Sequence, residues 1–191
     1  WTGCDAFVHA IEAYTVDSWH PMCDGIALEA IRLIAAWLRP AVREPGNLAA
    51  RGGMLAGSCL AGVSFLKGLG LVHAISHMVG AAYDTHHGLT NAIVLPAVLR
   101  FNEPAIAHKV PEICAALGLP ERDFRGLHRF VCDLLDDLAI PRGLSEIGVA
   151  ADRVEELAVK ASKDPSALTN PRAASVQEIE GLIREAIAGA R

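Results

Sequence analysis

Apolar residues recur three and four positions apart through most of this chain, which is the spacing of one face of an α-helix. No window shows the strict alternation of apolar and polar residues, with β-branched enrichment, that marks a half-buried strand. With 191 residues, 52% of them hydrophobic and 20% charged, the chain is long enough to bury a sizeable core. The pattern predicts one all-α domain over residues 1–191.

The first helices are predicted from this spacing and from breakers. One begins near Asp5, and a second covers residues 23–38 and stops before Pro40. Apolar residues cover most of the second helix, so we expect it to be central. A third helix over residues 48–66 contains the run "MLAGSCLAGVSFL". This run is too short for a membrane span, which needs about 20 residues, so we expect a buried core helix.

The remaining helices follow the sequence "KGLGL", which breaks the third helix. A histidine-containing helix runs to about Tyr83, and a kinked or short buried helix covers residues 91–102 around Pro96. Ser175 and Glu178 form a capping-box signature for the last helix. The predicted ranges of the later helices are 104–117, 121–138, 151–163 and 176–188.

Charge and cysteine content restrict the class of protein. A net charge of −5 and a pI near 5.9 give no basic stripe for nucleic acid, so a small molecule or a protein is the better partner. The cysteines are odd in number, widely spaced and without a CxxC pair, which suggests neither a disulfide framework nor a thiolate zinc site. We expect reduced, mostly buried thiols in a cytoplasmic protein, with no membrane partner. The five are Cys4, Cys23, Cys59, Cys114 and Cys132.

Histidines are concentrated in "HAISHMVGAAYDTHHG", residues 73–88, which holds four of the chain's eight. His73 and His77 are four residues apart, as are Asp5 and His9, and such pairs share a helix face. Either pair alone is more often a surface or core contact. Together, in apolar helices where unpaired polar groups are costly, they favour a divalent metal. A carboxylate with imidazoles and no thiolate suits Fe(II), Zn(II) or Mn(II), which can act as a Lewis acid on an alcohol or carbonyl oxygen.

Two segments resemble the signature regions of the iron-containing (group III) alcohol dehydrogenases. They are "TGCDAFVHAIEAY" and "GLVHAISHMVGAAYDTHHGLTNAIVLPAVLRFN", and the likeness continues through "DGIALEAIRLI" and "DPSALTNPRAASVQEIEGLIREA". The resemblance covers essentially the whole chain. It implies the helical C-terminal domain of a two-domain enzyme with the dehydroquinate synthase-like fold. Residues 1–102 would carry the catalytic metal, and residues 103–191 would form peripheral helices.

The resemblance also implies roles for individual residues. By position, the metal ligands would be Asp5, His9, His73 and His87. His77 would lie beside the nicotinamide and the substrate and take part in proton exchange, which makes it both the catalytic and the cofactor-binding residue.

Other residues in these segments are expected to have lesser roles. His86 stands where the family usually has proline, and we expect it to be an exposed residue of the turn before Gly88. The alternatives are that His86 donates a hydrogen bond to a metal ligand or that it binds the metal itself. Gly88 and Asn91 are expected to shape a turn and a helix start. "GLGLVH" lacks the preceding strand and third glycine of a dinucleotide fingerprint and is treated as a helix break with close packing. The three histidines expected at the surface are His20, His108 and His128.

The function implied by the resemblance is the interconversion of an alcohol and an aldehyde or ketone with NAD(P), by an iron enzyme that is a homo-oligomer when intact. No strand, glycine-rich phosphate loop or initiating Met precedes Trp1. We therefore expect the N-terminal α/β nucleotide-binding domain to be missing, and the chain alone to hold metal without turnover. The alternatives are a reductase of the glycerol dehydrogenase or maleylacetate reductase type, and a non-enzymatic metal-binding helical remnant. Gly88 and Asn91 favour the alcohol dehydrogenase branch over the related reductases.

Overall fold

The computed structural model describes residues 1–189, and these residues form ten α-helices, three short 3₁₀ helices and no strand. The all-α prediction is confirmed. The 3₁₀ helices are Phe65–Lys67, Leu144–Ile147 and Ala151–Arg153. The α-helices are α1 (Thr2–Thr15), α2 (Pro21–Arg43), α3 (Leu48–Ser64), α4 (Leu71–Tyr83), α5 (His87–Ile106), α6 (Val110–Ala116), α7 (Phe124–Asp137), α8 (Val154–Ala161), α9 (Pro165–Leu168) and α10 (Val176–Ala188).

Side-chain caps account for several helix starts. Asn47, Asp123 and Ser175 each accept a hydrogen bond from the backbone N–H three residues further on, which satisfies a donor that the helix itself leaves free. Ser175 and Glu178 form the expected capping box, and α10 has the predicted bounds. Helix α4 ends at Tyr83 as predicted.

Two predicted helix limits at prolines are wrong. Helix α2 continues through Pro40 to Arg43, and α5 includes both Pro96 and Pro104. Proline removes only its own N–H from the hydrogen-bond ladder. In α2 that loss falls in the last turn, and in α5 it is outweighed by burial around the whole helix, whose residues 88–99 are all buried.

Other limits differ by a few residues. Helix α1 begins at Thr2 instead of near Asp5. The range predicted as one helix over 104–117 contains the end of α5 and the separate helix α6. Residues 151–163 begin as a 3₁₀ turn before α8, and α7 starts later than predicted because Asp123 caps it. Apolar spacing marks where a helix packs, whereas caps decide where it begins.

The centre of the core is α5. Helices α1, α4, α7 and α10 pack against it, and α2 and α3 pack against α1. The expectation that α2 is central is wrong, because only one face of that helix is buried. The side chains on that face are Cys23, Ala27, Ala30, Ile31, Ile34 and Leu38.

Helix α3 is more exposed than predicted. Leu48 and Leu55 are 80% and 75% exposed, and Leu66 in the following 3₁₀ turn is 79% exposed. The stretch Leu48–Lys67 is long and apolar enough to span a membrane by length and composition, a weak criterion that core helices also pass. The expectation of a buried core helix is wrong because the residues of α3 that are buried form only a stripe of small side chains. That stripe is Ala50, Gly57, Ala61 and Ser64.

Candidate metal centre

Three helices bring the four proposed metal ligands together. Asp5 and His9 lie one turn apart on α1, His73 lies in the first turn of α4, and His87 is the first residue of α5. Asp5, His9 and His73 each bring one potential ligand atom within 4.8 Å of the other two. Nε2 of His87 lies 3.5 Å from Oδ1 of Asp5. Residues separated by up to 82 positions along the chain thus converge on one point of the fold.

Hydrogen bonds fix the tautomers of the two histidines nearest the core. Nδ1 of His9 lies 2.8 Å from the backbone oxygen of Asp5, and Nδ1 of His73 lies 2.7 Å from Oε2 of Glu12. Carbonyl and carboxylate oxygens only accept hydrogen bonds, so Nδ1 of each ring must carry the proton. In the neutral rings Nε2 is then left with a lone pair, which is the form that binds a metal.

His87 also has a hydrogen-bond partner at Nδ1, but the contact is longer than those of His9 and His73. The Ser76 hydroxyl donates to the backbone oxygen of His87 at 3.3 Å, so its oxygen is free to accept from Nδ1 of the His87 ring, also at 3.3 Å. Nε2 of His87 is again the atom that approaches Asp5. Nε2 of His73 and Nε2 of His87 therefore both approach the Asp5 carboxylate, whereas for His9 it is Nδ1 that lies 3.6 Å from the same Oδ1.

The spacing of these atoms fits a divalent metal ion. Nε2 of His73 and Nε2 of His87 lie 3.7 Å and 3.5 Å from Oδ1 of Asp5. Two ligands that each lie about 2.1 Å from one ion at a tetrahedral angle are roughly 3.4 Å apart. Three neutral imidazoles and one carboxylate are also a donor set suited to Fe(II), Zn(II) or Mn(II). Both the chemistry and the spacing of the residues present fit the metal that the sequence predicted.

Burial favours the neutral form of two of these rings. It is the main cause that lowers the pKa of His9, and the neighbouring His73 adds to it while Asp5 opposes it. Burial also lowers the pKa of His87, against the opposing charge of Asp5. A lowered imidazole pKa keeps the ring unprotonated at neutral pH, so the nitrogen lone pair remains available.

Asn91 lies inside the cluster, where sequence reasoning gave it only a role in starting the helix. Its Nδ2 donates to Oδ1 of Asp5 at 2.6 Å and lies 3.2 Å and 3.1 Å from Nε2 of His73 and of His87. The residue is completely buried, and its Oδ1 has no hydrogen-bond partner among residues 1–189. Asn91 thus joins three of the four proposed ligands and helps to hold the Asp5 carboxylate.

Gly88 allows α5 to begin close to α1. A Cβ atom at this position would lie 2.6 Å from the backbone oxygen of Trp1 and 3.0 Å from Cβ of Asp5. Any larger residue would push the start of α5 away from α1. Because His87 and Asp5 belong to these two helices, the glycine determines how near they can come.

The other two histidines of the segment lie at its rim. The ring of His77 stacks on that of His87, with centroids 5.5 Å apart and planes 12° apart, and its Nδ1 lies 2.9 Å from Oδ2 of Asp164. His86 is exposed, as expected, and its Nδ1 accepts a long hydrogen bond of 3.4 Å from the N–H of Leu89 as the N-cap of α5. His77 is therefore a neighbour of the cluster, and His86 has a capping role.

The remaining histidines lie away from the cluster. His20 and His108 are exposed, as expected, and His20 caps α2. His128 is half-buried, and its Nε2 accepts a hydrogen bond of 2.7 Å from the Arg100 guanidinium. The prediction that His128 is a simple surface residue is wrong, because α7 turns it towards α5.

Sequence reasoning missed two carboxylates that contact histidines of this region. They are Glu12, which is buried beside His73, and Asp164, which contacts His77. Glu12 had a signal, since it follows Asp5 by seven residues and therefore shares its face of α1. Asp164 had none in its own segment, because only the tertiary fold brings residue 164 to α4.

A groove of about 230 Å³ opens beside two of the proposed ligands. Asp5 and His9 form one wall, and Ser58, Gly62 and Phe65 form the facing wall from α3 and its 3₁₀ extension. Its volume is smaller than the 300–1,000 Å³ typical of pockets for drug-sized ligands, so it suits a small molecule. A larger cavity of about 570 Å³ between α2 and α3 lies apart from the histidines.

Comparisons with known proteins found a matching family model and several similar proteins. Residues 1–187 match the sequence model of the C-terminal region of the Fe-containing alcohol dehydrogenase family. The chain is 39% identical to 1,3-propanediol dehydrogenase of Klebsiella pneumoniae, over 97% of this chain and 50% of that protein. It is 37% identical to the NAD-dependent methanol dehydrogenase of Bacillus methanolicus, over 97% of this chain and 51% of that protein.

A solved structure has the same fold. The crystal structure of a 1,3-propanediol oxidoreductase superposes with a TM-score of 0.94 at 38% identity, over 97% of this chain and 50% of that one. The chain therefore spans about half the length of the relatives that it matches.

Proposed function

Because the chain belongs to the Fe-containing alcohol dehydrogenase family, we propose that it is the metal-binding half of an NAD(P)-dependent alcohol dehydrogenase. The observation that carries the proposal is the convergence of Asp5, His9, His73 and His87, in which Nε2 of His73 and Nε2 of His87 both approach Oδ1 of Asp5 and His9 has a potential ligand nitrogen close by. These four residues would hold Fe(II), with Zn(II) or Mn(II) as possible substitutes.

The metal would supply Lewis-acid polarisation of the alcohol or carbonyl oxygen of the substrate. The groove beside Asp5 and His9 is of a size for a small alcohol, and two of the relatives are named for 1,3-propanediol and methanol. We therefore propose a small alcohol and its aldehyde or ketone as the substrate pair. Phe65, whose ring centroid is 5.4 Å from that of His9, would provide an apolar wall beside the reacting carbon.

His77 is proposed to transfer the proton that an alcohol loses during oxidation. Its ring stacks beside His87 at the rim of the cluster, and its side chain is 40% exposed. One side of the ring therefore faces the site, and the ring also reaches solvent. Asp164 accepts from Nδ1, so Nε2 is the nitrogen that is free to take a proton. This geometry suits a proton carrier better than a metal ligand.

The hydride that leaves the carbinol carbon needs a nicotinamide cofactor. The relatives are about twice as long as this chain, and we propose that a nucleotide-binding α/β domain supplies NAD(P) and faces this cluster. The free thiols of all five cysteines suit a reducing compartment such as the cytoplasm. We also propose that the complete enzyme assembles as a homo-oligomer.

Turnover tests this function. A longer protein in which a nucleotide-binding domain precedes this chain should oxidise small alcohols with NAD(P), and the chain alone should not. His77→Ala should lower kcat by about 10² to 10⁴, the usual contribution of a positioned proton carrier. His108→Ala, at an exposed position, is the control. Metal uptake without turnover in the longer protein would favour the non-enzymatic alternative, and turnover on other carbonyl substrates would favour the related reductases.

A further inference from the structure

Glu12 lies in the last turn of α1 and is almost completely buried. Its carboxylate accepts three hydrogen bonds. They come from the backbone N–H of Gly70 at 3.0 Å, the backbone N–H of Val72 at 2.8 Å and Nδ1 of His73 at 2.7 Å. A buried carboxylate needs such donors to offset the loss of water. All three come from the start of α4, so Glu12 joins α1 to the helix that carries His73.

We propose that Glu12 is a positioning residue of the metal centre, which sets the tautomer and ring orientation of His73; the inference rests on the proposed role of His73 as a ligand. Because the carboxylate can only accept, Nδ1 of His73 must hold the proton and Nε2 must be bare. That Nε2 lies 3.7 Å from Oδ1 of Asp5 and 3.2 Å from Nδ2 of Asn91, on the inward side of the ring. A carboxylate on the far nitrogen also makes an imidazole a more basic ligand.

The carboxylate itself is held rigidly. Two of its donors are backbone groups in the first turn of α4, where the helix dipole also favours a negative charge. Gly70 permits the close approach, since a Cβ atom there would lie 2.7 Å from Oε1 of Glu12. An orienting group that cannot move fixes the ring that it contacts.

Helix α1 thus contributes three residues to the cluster from one face. Asp5, His9 and Glu12 follow each other by four and then three residues, which places them in line along the helix. The first two offer ligand atoms, and the third reaches the back of the His73 ring. Helix α1 therefore provides both the carboxylate that orients the His73 ring, from Glu12, and the carboxylate that Nε2 of His73 approaches, from Asp5.

Glu12 has a second effect that the test must separate, because it also caps the first turn of α4. Asn170 provides a matched control. Its Oδ1 accepts from the N–H of Leu71 at 3.1 Å, so it caps the same turn without touching the histidine. Asn170→Ala removes a cap from α4 and leaves the Glu12–His73 pair in place.

The experiment compares Glu12→Gln and Asn170→Ala in the purified chain. Zn(II) titration gives the metal affinity, and ¹⁵N NMR of the imidazoles gives the tautomer of His73. Glu12→Gln should lower the affinity by about 10- to 100-fold, the usual effect of removing such a partner, and should reduce the population of the Nδ1–H tautomer. Asn170→Ala should lower the melting temperature and leave both the affinity and the tautomer unchanged.

Two results would overturn the proposal. One is a Glu12→Gln chain that binds Zn(II) as tightly as the wild type, and the other is an equal loss of affinity in both variants. If Glu12→Gln does not fold, Glu12→Asp replaces it. For that variant, a weaker affinity for Zn(II) with a changed His73 tautomer supports the proposal. An unchanged affinity for Zn(II) with a changed His73 tautomer contradicts it. The tautomer is measured without metal, so a wild-type chain that binds no Zn(II) contradicts the proposed metal centre and still shows whether Glu12 orients His73.

Discussion

Nδ1 of His77 lies 2.9 Å from Oδ2 of Asp164, although the two residues are 87 positions apart in the chain. Asp164 is mostly buried, and its other oxygen accepts the N–H of Ser166 at 2.8 Å to cap α9. Burial raises the pKa of Asp164, but the hydrogen bonds from His77 and Ser166 outweigh it and lower the pKa overall. The carboxylate therefore stays ionised and can hold the His77 ring by its Nδ1–H.

Replacing Asp164 by Asn should impair proton transfer by His77 and leave metal and substrate binding in place. If the amide oxygen keeps the cap on α9, the amide NH₂ group faces Nδ1 of His77 and favours the other tautomer. In the longer enzyme that we propose, we expect kcat to fall by roughly 10-fold or more with little change in KM, because the loss concerns the reaction and not substrate binding. Steady-state kinetics with a small alcohol measure both constants.

Asp152→Asn is the matched control, since the Asp152 carboxylate accepts a hydrogen bond from the Tyr83 hydroxyl at 2.9 Å and thus from a group that is not a histidine. This variant should keep the wild-type kcat. Equal kcat values for the Asp164 and Asp152 variants would remove the proposed role of Asp164.

Gly88→Ala should weaken both stability and metal binding. The added methyl group would meet the backbone oxygen of Trp1 and Cβ of Asp5, and such overpacking typically costs about 1–3 kcal/mol. The shift of α5 would also move His87 away from Asp5, so the affinity for Zn(II) should fall. Thermal unfolding and metal titration of the purified chain measure the two effects.

Gly181→Ala provides the comparison. Gly181 lies within α10, and among the described residues no heavy atom beyond its chain neighbours and its own helix backbone lies within 4 Å of a Cβ built there. Alanine at an open helical position should stabilise the chain by about 0.5–1 kcal/mol and leave metal binding unchanged. A Gly88→Ala chain as stable as Gly181→Ala would show that the contact of α5 with α1 is looser than described.

His128 should make stability depend on pH. Burial is the main cause that lowers its pKa, and Arg100 adds to it, while the Pro96 carbonyl, Glu103 and Glu185 oppose the shift. In the unfolded chain the His128 ring gains a proton near pH 6.5, but in the folded chain it gains that proton only at a lower pH. The free energy of unfolding should therefore decrease as the pH falls below about 6.5 towards the folded pKa.

His128→Gln removes this contribution, so its free energy of unfolding should depend less on pH than that of the wild type below about pH 6.5. Urea unfolding at pH 7.5 and at pH 5.5 gives the comparison. Other histidines titrate equally in both proteins, so the difference between the two curves isolates His128. Parallel curves for the two proteins would contradict the lowered pKa.

The sequence predicts the helical fold well, and the four ligands stay a prediction. Spacing singles out Asp5, His9, His73 and His77, and the family resemblance is what replaces His77 by His87 as a ligand. Apolar spacing reports which residues face a core, and a carboxylate and histidines at helical spacing in apolar segments are unusual enough to stand out. The exposure of α3 was not predictable in this way, because alanine and glycine give a high hydropathy whether or not they are buried. Helix continuity through Pro40 and Pro104 depends on packing that a local rule does not contain.

The residues that orient the cluster were harder to predict than its members. Glu12 and Asp164 contact His73 and His77 across 61 and 87 positions. The sequence shows that Glu12 shares the Asp5 face of its helix, but it does not show which residue Glu12 contacts, and the segment of Asp164 carries no signal at all. Asn91 was noticed, but its hydrogen bond to Asp5 depends on how closely α5 meets α1. Tertiary distances, which a single sequence does not specify, decide these roles.

The most direct test is metal binding by the purified chain and by its His73→Ala/His87→Ala variant. We expect the wild-type chain to bind one Fe(II) or Zn(II) per molecule in an anaerobic titration, and the double variant, with half of the proposed ligands removed, to lose that uptake. A double variant that is folded by circular dichroism and still takes up metal as the wild type does would contradict the assignment of this cluster.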